Sequence, residues 1–335
     1  CPISFKIGGR IVPMGGEKLM PLDTANLIAQ LYALASSENH KRIFEAGDDD
    51  FSFSIPKVGR FRVNAYKQRG SQAAVLRVTQ FSLPDYQSLN IPPGVIGLAR
   101  KMKGLVLITG SAGSGKSTTL SCIINQINHS RNAHIITLED PLEFLHRHDK
   151  SVVSQREVSS DTQSYVRGLR AALRQAPNVI LLGEMRDLET ITIAMTAAET
   201  GQLVLSTLHT VGASNTIDRI IDVFPPNQQQ QIRVQLSMVL EAVVSQQLIP
   251  GAKGGMVPAF EIMIANNAIR NMIRESKIHQ MDNVIYSSGN EGMVSMDASI
   301  VDLYAKGLIT RENAEQYCIN RDLILRKLAA VDAAK

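Results

Sequence analysis

Tryptophan is absent from the 335 residues, aromatic residues make up only 5%, and no block of five or six consecutive basic residues occurs although the formal net charge is +4. A protein that tracks single-stranded nucleic acid needs a basic groove with aromatic rings on which bases stack. This sequence has dispersed basic residues and few rings, so nucleic acid is set aside as a partner. Cysteine is equally scarce: Cys1, Cys122 and Cys318 lie far apart and form no C-x-x-C pair. That excludes a zinc ribbon and a disulfide framework, and fits a reducing cytoplasm. Long hydrophobic runs are missing too. The most apolar segments, such as LVLITG and VILLGE, are short or bounded by charge, whereas a bilayer core is ~30 Å thick. The expectation is a cytoplasmic protein that meets a membrane only peripherally. The start at Cys1-Pro2 without Met reads as a trimmed N-terminus rather than a processed lipoprotein, because no signal segment is seen.

What is present is the balance of a globular protein, 44% hydrophobic and 20% charged, with two different patterns along the chain. Residues 1–83 read as a small α+β domain. FSFSI (51–55) and RFRVNAY (60–66) alternate as strands joined by a tight turn at Lys57-Val58-Gly59, and AAVLRVTQF (73–81) pairs next. In the second strand Phe61, Val63 and Ala65 share one face, and Arg60, Arg62, Asn64 and Tyr66 the other. The proline-rich stretch SLPDYQSLNIPPG breaks regular structure and marks a linker over 84–98. From 99 to 335 short apolar runs alternate with helical stretches: GLVLITG, HIITLED, NVILLGE and QLVLSTLHT. Such runs build a parallel sheet covered by helices on both faces, an α/β nucleotide-binding core. Asp187 and Gly201 bracket a helix as N-cap and C-terminal stop. QQQQIRVQLSMVLEAVVSQQL keeps helical spacing at Ile232, Leu236, Val239, Leu240 and Val243, and a helical region is expected from about Ala259 to the end.

The chemistry is concentrated at strand ends. Gly110-Ser111-Ala112-Gly113-Ser114-Gly115-Lys116-Ser117-Thr118 follows one apolar run and opens a helix, the context a phosphate loop requires. Its glycines let backbone N–H groups turn onto the phosphates of ATP, Lys116 reaches the β and γ phosphates, and Ser117 offers a hydroxyl to Mg²⁺. HIITLED ends in Glu139 and Asp140, and NVILLGE in Glu184, with Gly183 where a Walker B strand usually has its metal-side Asp. Glu184 is therefore the metal-side acid and Glu139 the general base, although the two roles could be exchanged. His209, past the QLVLSTL strand, is placed to sense the γ-phosphate. Arg62 and Arg77, on adjacent strands of the N-terminal domain, are candidate fingers toward a neighbouring subunit's site.

Taken together, these residues resemble the PilT family, the twitching-motility members of the secretion ATPases. GSAGSGKST looks like its Walker A, TLEDPLEFLH its Asp box, NVILLGEMRDLET its atypical Walker B and GQLVLSTLHT its His box. RFRVNAYKQRG resembles its arginine-bearing segment, in which arginines matching Arg62 and Arg77 serve as fingers. AIRNMIRES (268–276) is close to the signature of retraction motors, and the tetracysteine motif common in assembly motors is absent. The family's first residues, before a strand resembled by KIGGRIV, have no counterpart here.

The resemblance implies a homohexameric ring. Each subunit would carry a PAS-like N-terminal domain, a linker, and a RecA-like domain with a C-terminal helical region. The ring would sit at the inner membrane against the pilus platform protein and use ATP and Mg²⁺ to drive pilus retraction. An accessory or assembly-direction ATPase is the alternative, and a nucleic-acid translocase the remote one. In AIRNMIRES, Ala268, Ile269, Met272 and Ile273 would form a buried face, with Arg270, Asn271, Arg274 and Glu275 turned to a partner.

Overall fold

A computed structural model describes residues 2–7, 10–35, 42–55, 58–79 and 83–333. Cys1, Gly8 and Gly9 of KIGGRIV, Lys57 of the expected turn, and the end of AAVLRVTQF lie outside them. The chain divides into two compact units, residues 1–81 and 82–335.

In the first unit, strands β1 (Ser4–Ile7) and β2 (Arg10–Pro13) form an antiparallel pair. A second sheet contains β3 (Asp48–Ile55), β4 (Gly59–Gln68) and β5 (Ser71–Thr79), antiparallel and in that order. The alternation read in β4 is observed: Val63 and Ala65 are fully buried, while Arg62 and Asn64 face the other way. The buried face is covered by the helix Pro21–Leu34 through Ile28 and Tyr32, with the Tyr32 ring stacked 4.5 Å from that of Phe51. The Tyr32 hydroxyl is satisfied by Asp49 Oδ2 at 3.0 Å, which lets a polar tip sit in an apolar layer.

The second unit is an α/β domain around a seven-stranded sheet. Its strands are β6 (Gly104–Thr109), β7 (His134–Glu139), β8 (Val152–Glu157), β9 (Val179–Leu182), β10 (Leu203–Leu208), β11 (Leu240–Pro250) and β12 (Met256–Ile264). Their order is β12-β11-β6-β10-β9-β7-β8, parallel throughout except for the β11–β12 hairpin. The apolar runs are buried on both faces because successive side chains point to opposite sides. Leu105 and Leu107 join the helices Leu188–Glu199, Ala213–Asp222 and Pro226–Val239, while Val106 and Ile108 meet the helix Lys116–Ser130. Asp187 caps its helix by accepting from Thr190 N at 2.8 Å, and Gly201 follows with φ +111°.

Three sequence expectations need correction. The stretch assigned to one long helix breaks at Val239: Leu240 and Val243 belong to β11, paired in parallel with β6. Their spacing suits a helix equally well, but the central sheet offers a row of free backbone partners, and this decides the outcome. The C-terminal helical region begins at Asn267 rather than near Ala259, because β12 extends to Ile264. Pro258 is accommodated there since β12 lies at the sheet's edge. Residues 84–98 are also no bare linker, for Ile91, Val95, Ile96 and Leu98 pack into the core beside the helix Lys116–Ser130.

The fold also reassigns Arg270. Ile269 and Ile273 are buried as expected, but Ala268 is exposed and Arg270 turns inward. The Arg270 guanidinium donates to the carbonyls of Ser237 (2.7 Å) and Met238 (2.9 Å) at a helix end and to Glu241 Oε1 (3.0 Å). Lys101 holds the other oxygen of Glu241 at 2.7 Å. A cation over the last carbonyls of a helix is structural. Arg270→Ala is therefore expected to remove ~1.5–3 kcal/mol of stability and lower the unfolding midpoint by on the order of 5 °C. Calorimetry of the purified variant checks it, and an unchanged midpoint would return Arg270 to a role at a partner surface.

Candidate active site

The loop from Gly110 to Gly115 connects the end of β6 to the helix Lys116–Ser130. Two of its glycines have no substitute. A Cβ at Gly110 (φ +138°) would stand 2.1 Å from Gln246 O, and one at Gly115 (φ +89°) 2.8 Å from Gln246 Nε2. β11 thus presses directly on the loop, and Gln246 Oε1 also accepts from Thr119 Oγ1 at 2.8 Å, a buried bond between strand and helix. The first-turn N–H groups of the helix have no partners within it and point into the cleft, where an anion would complete them.

Lys116 is almost buried, and its Nζ donates to Gly110 O (2.9 Å) and Ser111 O (2.8 Å). Burial lowers its pKa, while the carboxylates of Glu184 and Glu143 oppose the shift. The lysine is thereby held over the loop as a cation facing acids across the cleft. That cleft has a volume of about 460 Å³ and is lined by the loop and by Glu139, Asp140, Glu143, Tyr165, Glu184, Arg186 and His209.

Each strand-end residue reaches the cleft because the parallel strands end on the same side. Burial pushes the Glu139 carboxyl up to about 7, against the Thr137 hydroxyl beside it and a hydrogen bond from Gln155 Nε2 (3.4 Å) that favour the charged form. A carboxyl with that pKa can take and return a proton near neutral pH. Glu184 Oε2 pairs with Arg186 Nε at 2.6 Å and lies 3.4 Å from His209 Nε2. A Cβ at Gly183 would come within 2.7 Å of the Tyr165 hydroxyl and 3.2 Å of Leu138 O, so a side chain there needs the Tyr165 ring to shift. An Asp there would collide with Tyr165. Tyr165 itself is partly buried, with its pKa raised by burial and by the charges of Glu184, Asp140 and Glu139.

The phosphate loop, Glu139, Glu184 and His209 therefore meet in one cleft, as the sequence led us to expect. Arg62 and Arg77 are not among the residues lining it. They stand directly opposite each other on β4 and β5 of the first unit, with Asp50 Oδ1 3.8 Å from Arg62 Nε. Two like charges across a sheet pair are unfavourable. Tyr165, Arg186, Glu143 and Gln246 were not singled out from the sequence. Arg186 and Glu143 lie inside boxes already read, whereas nothing local marks Tyr165 or Gln246.

A cleft of this form is built for the phosphates of a nucleotide, and the class it defines is the phosphate-loop ATPases. Residues 1–302 match the model of the family described as Type II/IV secretion system protein. The chain is 46% identical over 298 residues, 89% of its length and 87% of the relative's, to the Type IV pilus retractation ATPase PilT of Pseudomonas aeruginosa. It is 44% identical to a twitching motility protein of Neisseria gonorrhoeae, over 90% of this chain and 82% of that one. A crystal structure of the pilus retraction motor PilT with bound ADP superposes with a TM-score of 0.87 at 45% identity, covering 97% of this chain and 92% of that one. The chain belongs to the Type II/IV secretion system protein family and is an ATP-hydrolysing, nucleotide-binding enzyme of that family.

Proposed function

We propose that this chain is the motor of type IV pilus retraction, acting as a homohexameric ring at the cytoplasmic face of the inner membrane against the pilus platform protein. The observation that carries the reading is the complete cleft, where Lys116, Glu139, Glu184 and His209 converge. An accessory or regulatory ring would not need that full set. The similarity to PilT and to a twitching motility protein supports the pilus, and the AIRNMIRES segment supports retraction over assembly. The first unit takes the place of the PAS-like domain, and no helix among the described residues is long and apolar enough to cross a membrane.

In this reading the loop's N–H groups and Lys116 hold the β and γ phosphates, and Glu139 takes the proton of the attacking water. Ser117 and Glu184, both lining the cleft, are hard oxygen donors that suit Mg²⁺. Among the described residues no cluster of His, Cys, Asp and Glu could hold a metal ion alone, which fits an ion carried in by phosphates and water. When bound, Mg²⁺ would neutralise charge developing between the β and γ oxygens. His209 reads the γ-phosphate and passes its loss to Glu184.

In the organism that encodes this chain, deletion is expected to leave cells piliated and unable to retract their pili, seen by fluorescence microscopy of labelled filaments. Bald cells would assign it to assembly instead. Glu139→Gln is expected to lower turnover by about a hundredfold, the lower range for losing a general base, and to flatten a pH profile that otherwise rises through about 7. Its stability effect has a defined sign. A carboxyl whose folded pKa is raised stabilises the fold at acidic pH and loses that contribution as pH climbs through about 7. The variant should therefore melt higher than wild type at pH 8, and a lower melting point there would mark Glu139 as a structural residue.

A further inference from the structure

Glu261 is an acid with no place in the cleft, yet it is 6% exposed, on β12 opposite Ser245 of β11. Its Oε1 accepts from the N–H of Ala213 at 2.7 Å, and its carboxylate also feels the N–H of Met296, where the neighbouring Phe260 N donates to Ser299 Oγ of the same helix at 3.1 Å. Ala213 is the first residue of the helix Ala213–Asp222, and Met296 the first of the helix Met296–Ala305. One buried carboxylate thus caps the N-terminus of the first helix and lies at the N-terminus of the second, where both macrodipoles favour negative charge.

The first of these helices begins directly after the His209 loop. Gly212 N donates to Ser245 Oγ at 2.9 Å, Thr210 Oγ1 lies 2.7 Å from Thr216 Oγ1, and Thr216 reaches Thr109 at the end of β6 (3.5 Å). Thr109, Thr216 and Ser245 are fully buried. The chain from Leu208 to Ala213 is consequently held by a buried polar network, and Glu261 is the member that leads out of it. Helix Met296–Ala305 packs its Met296, Ile300 and Leu303 into the core of the C-terminal helices.

We infer that Glu261 is a positioning residue that fixes the His209 loop from behind and ties it to the C-terminal helices, so that movement of that loop on nucleotide binding or loss reaches those helices through one carboxylate. Burial raises the pKa of Glu261, with Asp282 and Asp297 adding to the shift, while the N–H groups of Ala213 and Met296 oppose it. A group kept in so costly a place is held by the two helix ends it joins. The kinetic part of the inference rests on the ATPase reading above, but the structural tie does not.

Glu261→Gln keeps the shape and turns an amide N–H toward one of the two donors. With the full-length chain, we expect turnover to fall about tenfold, the equivalent of one charge-assisted hydrogen bond. Affinity for a fluorescent ADP analogue should change less than about twofold by the same reasoning. In hydrogen exchange, ADP should protect residues 296–305 of the wild type and fail to do so in the variant. Ala213→Pro gives an independent route, since proline is tolerated at a first helical position and removes the N–H, while its ring adds bulk at a buried site, so the variant is used only where its melting point shows it folded. It should reproduce both effects. Wild-type protection of 296–305 by ADP in either folded variant overturns the inference. So does a parallel loss of affinity and turnover with a lower melting point, which is the behaviour of a structural staple alone. A wild-type chain without turnover would instead overturn the ATPase reading, and the exchange measurement would still test the tie.

Discussion

Lys116→Ala is expected to lose ATP turnover by more than about 10³-fold: a single neutral donor to a transition-state oxyanion is worth ~10²–10³, and a charged donor more. The lysine is nearly buried, and its ammonium is held by the carbonyls of Gly110 and Ser111 with Glu184 and Glu143 facing it. Its removal takes a cation out of an acid-lined cleft but deletes no packing from the two layers that flank the sheet. The fold should survive, because the loop's shape is imposed by Gln246 against Gly110 and Gly115 and by the Gln246–Thr119 bond. Circular dichroism and a coupled phosphate assay on the purified variant separate the two effects. Turnover near that of wild type would remove the nucleotide reading of the cleft, and an unfolded variant would show that the lysine organises the loop rather than serving the phosphates.

That prediction could be framed from sequence because the phosphate loop is contiguous. Nine consecutive residues carry both the turn and the chemistry, and the strands that deliver Glu139, Glu184 and His209 are short apolar runs whose burial on both faces leaves little ambiguity. Legibility fails where partners come from elsewhere in the chain. The helix Pro226–Val239 and β11 share one unbroken apolar pattern with no glycine or proline between them, so the break at Val239 follows from pairing with β6 rather than from local preference. β8 is not legible in the sequence because VVSQRE, at the sheet's other edge, has a mixed character. Arg270 sat on the polar side of a helical wheel, and only the nearby end of another helix shows that it points inward. Tyr165 explains why Gly183 replaces an acid, yet it lies eighteen positions earlier in a segment with no motif. Likewise, nothing around Glu261 announces that two helices will end on it.

For Arg62 and Arg77 together, replacement by alanine is expected to lower turnover by on the order of 10³-fold, the lower range for an arginine supplied to a phosphoryl-transfer transition state, while nucleotide affinity and assembly persist. The physical ground is their placement. They face each other across β4 and β5 on the solvent side of the first unit's sheet. Among the described residues, Asp50 pairs with Arg62 at 3.8 Å and is half exposed, and no ion pair holds Arg77. Two guanidinium groups set opposite one another repel, so the arrangement lacks a reason within the sheet and gains one if an anion from a neighbouring subunit comes between them. Mixed rings test this directly. A subunit lacking both arginines and a subunit carrying Lys116→Ala are each inactive, but a ring of the two contains interfaces where intact arginines meet an intact phosphate loop. Part of the turnover should then return, in proportion to such interfaces. Rings shown to be mixed by mass spectrometry that remain inactive would argue for arginines acting within their own subunit, or for a ring that stalls when any site is dead. Full turnover in the double arginine variant alone would return both residues to the role of ordinary solvated charges.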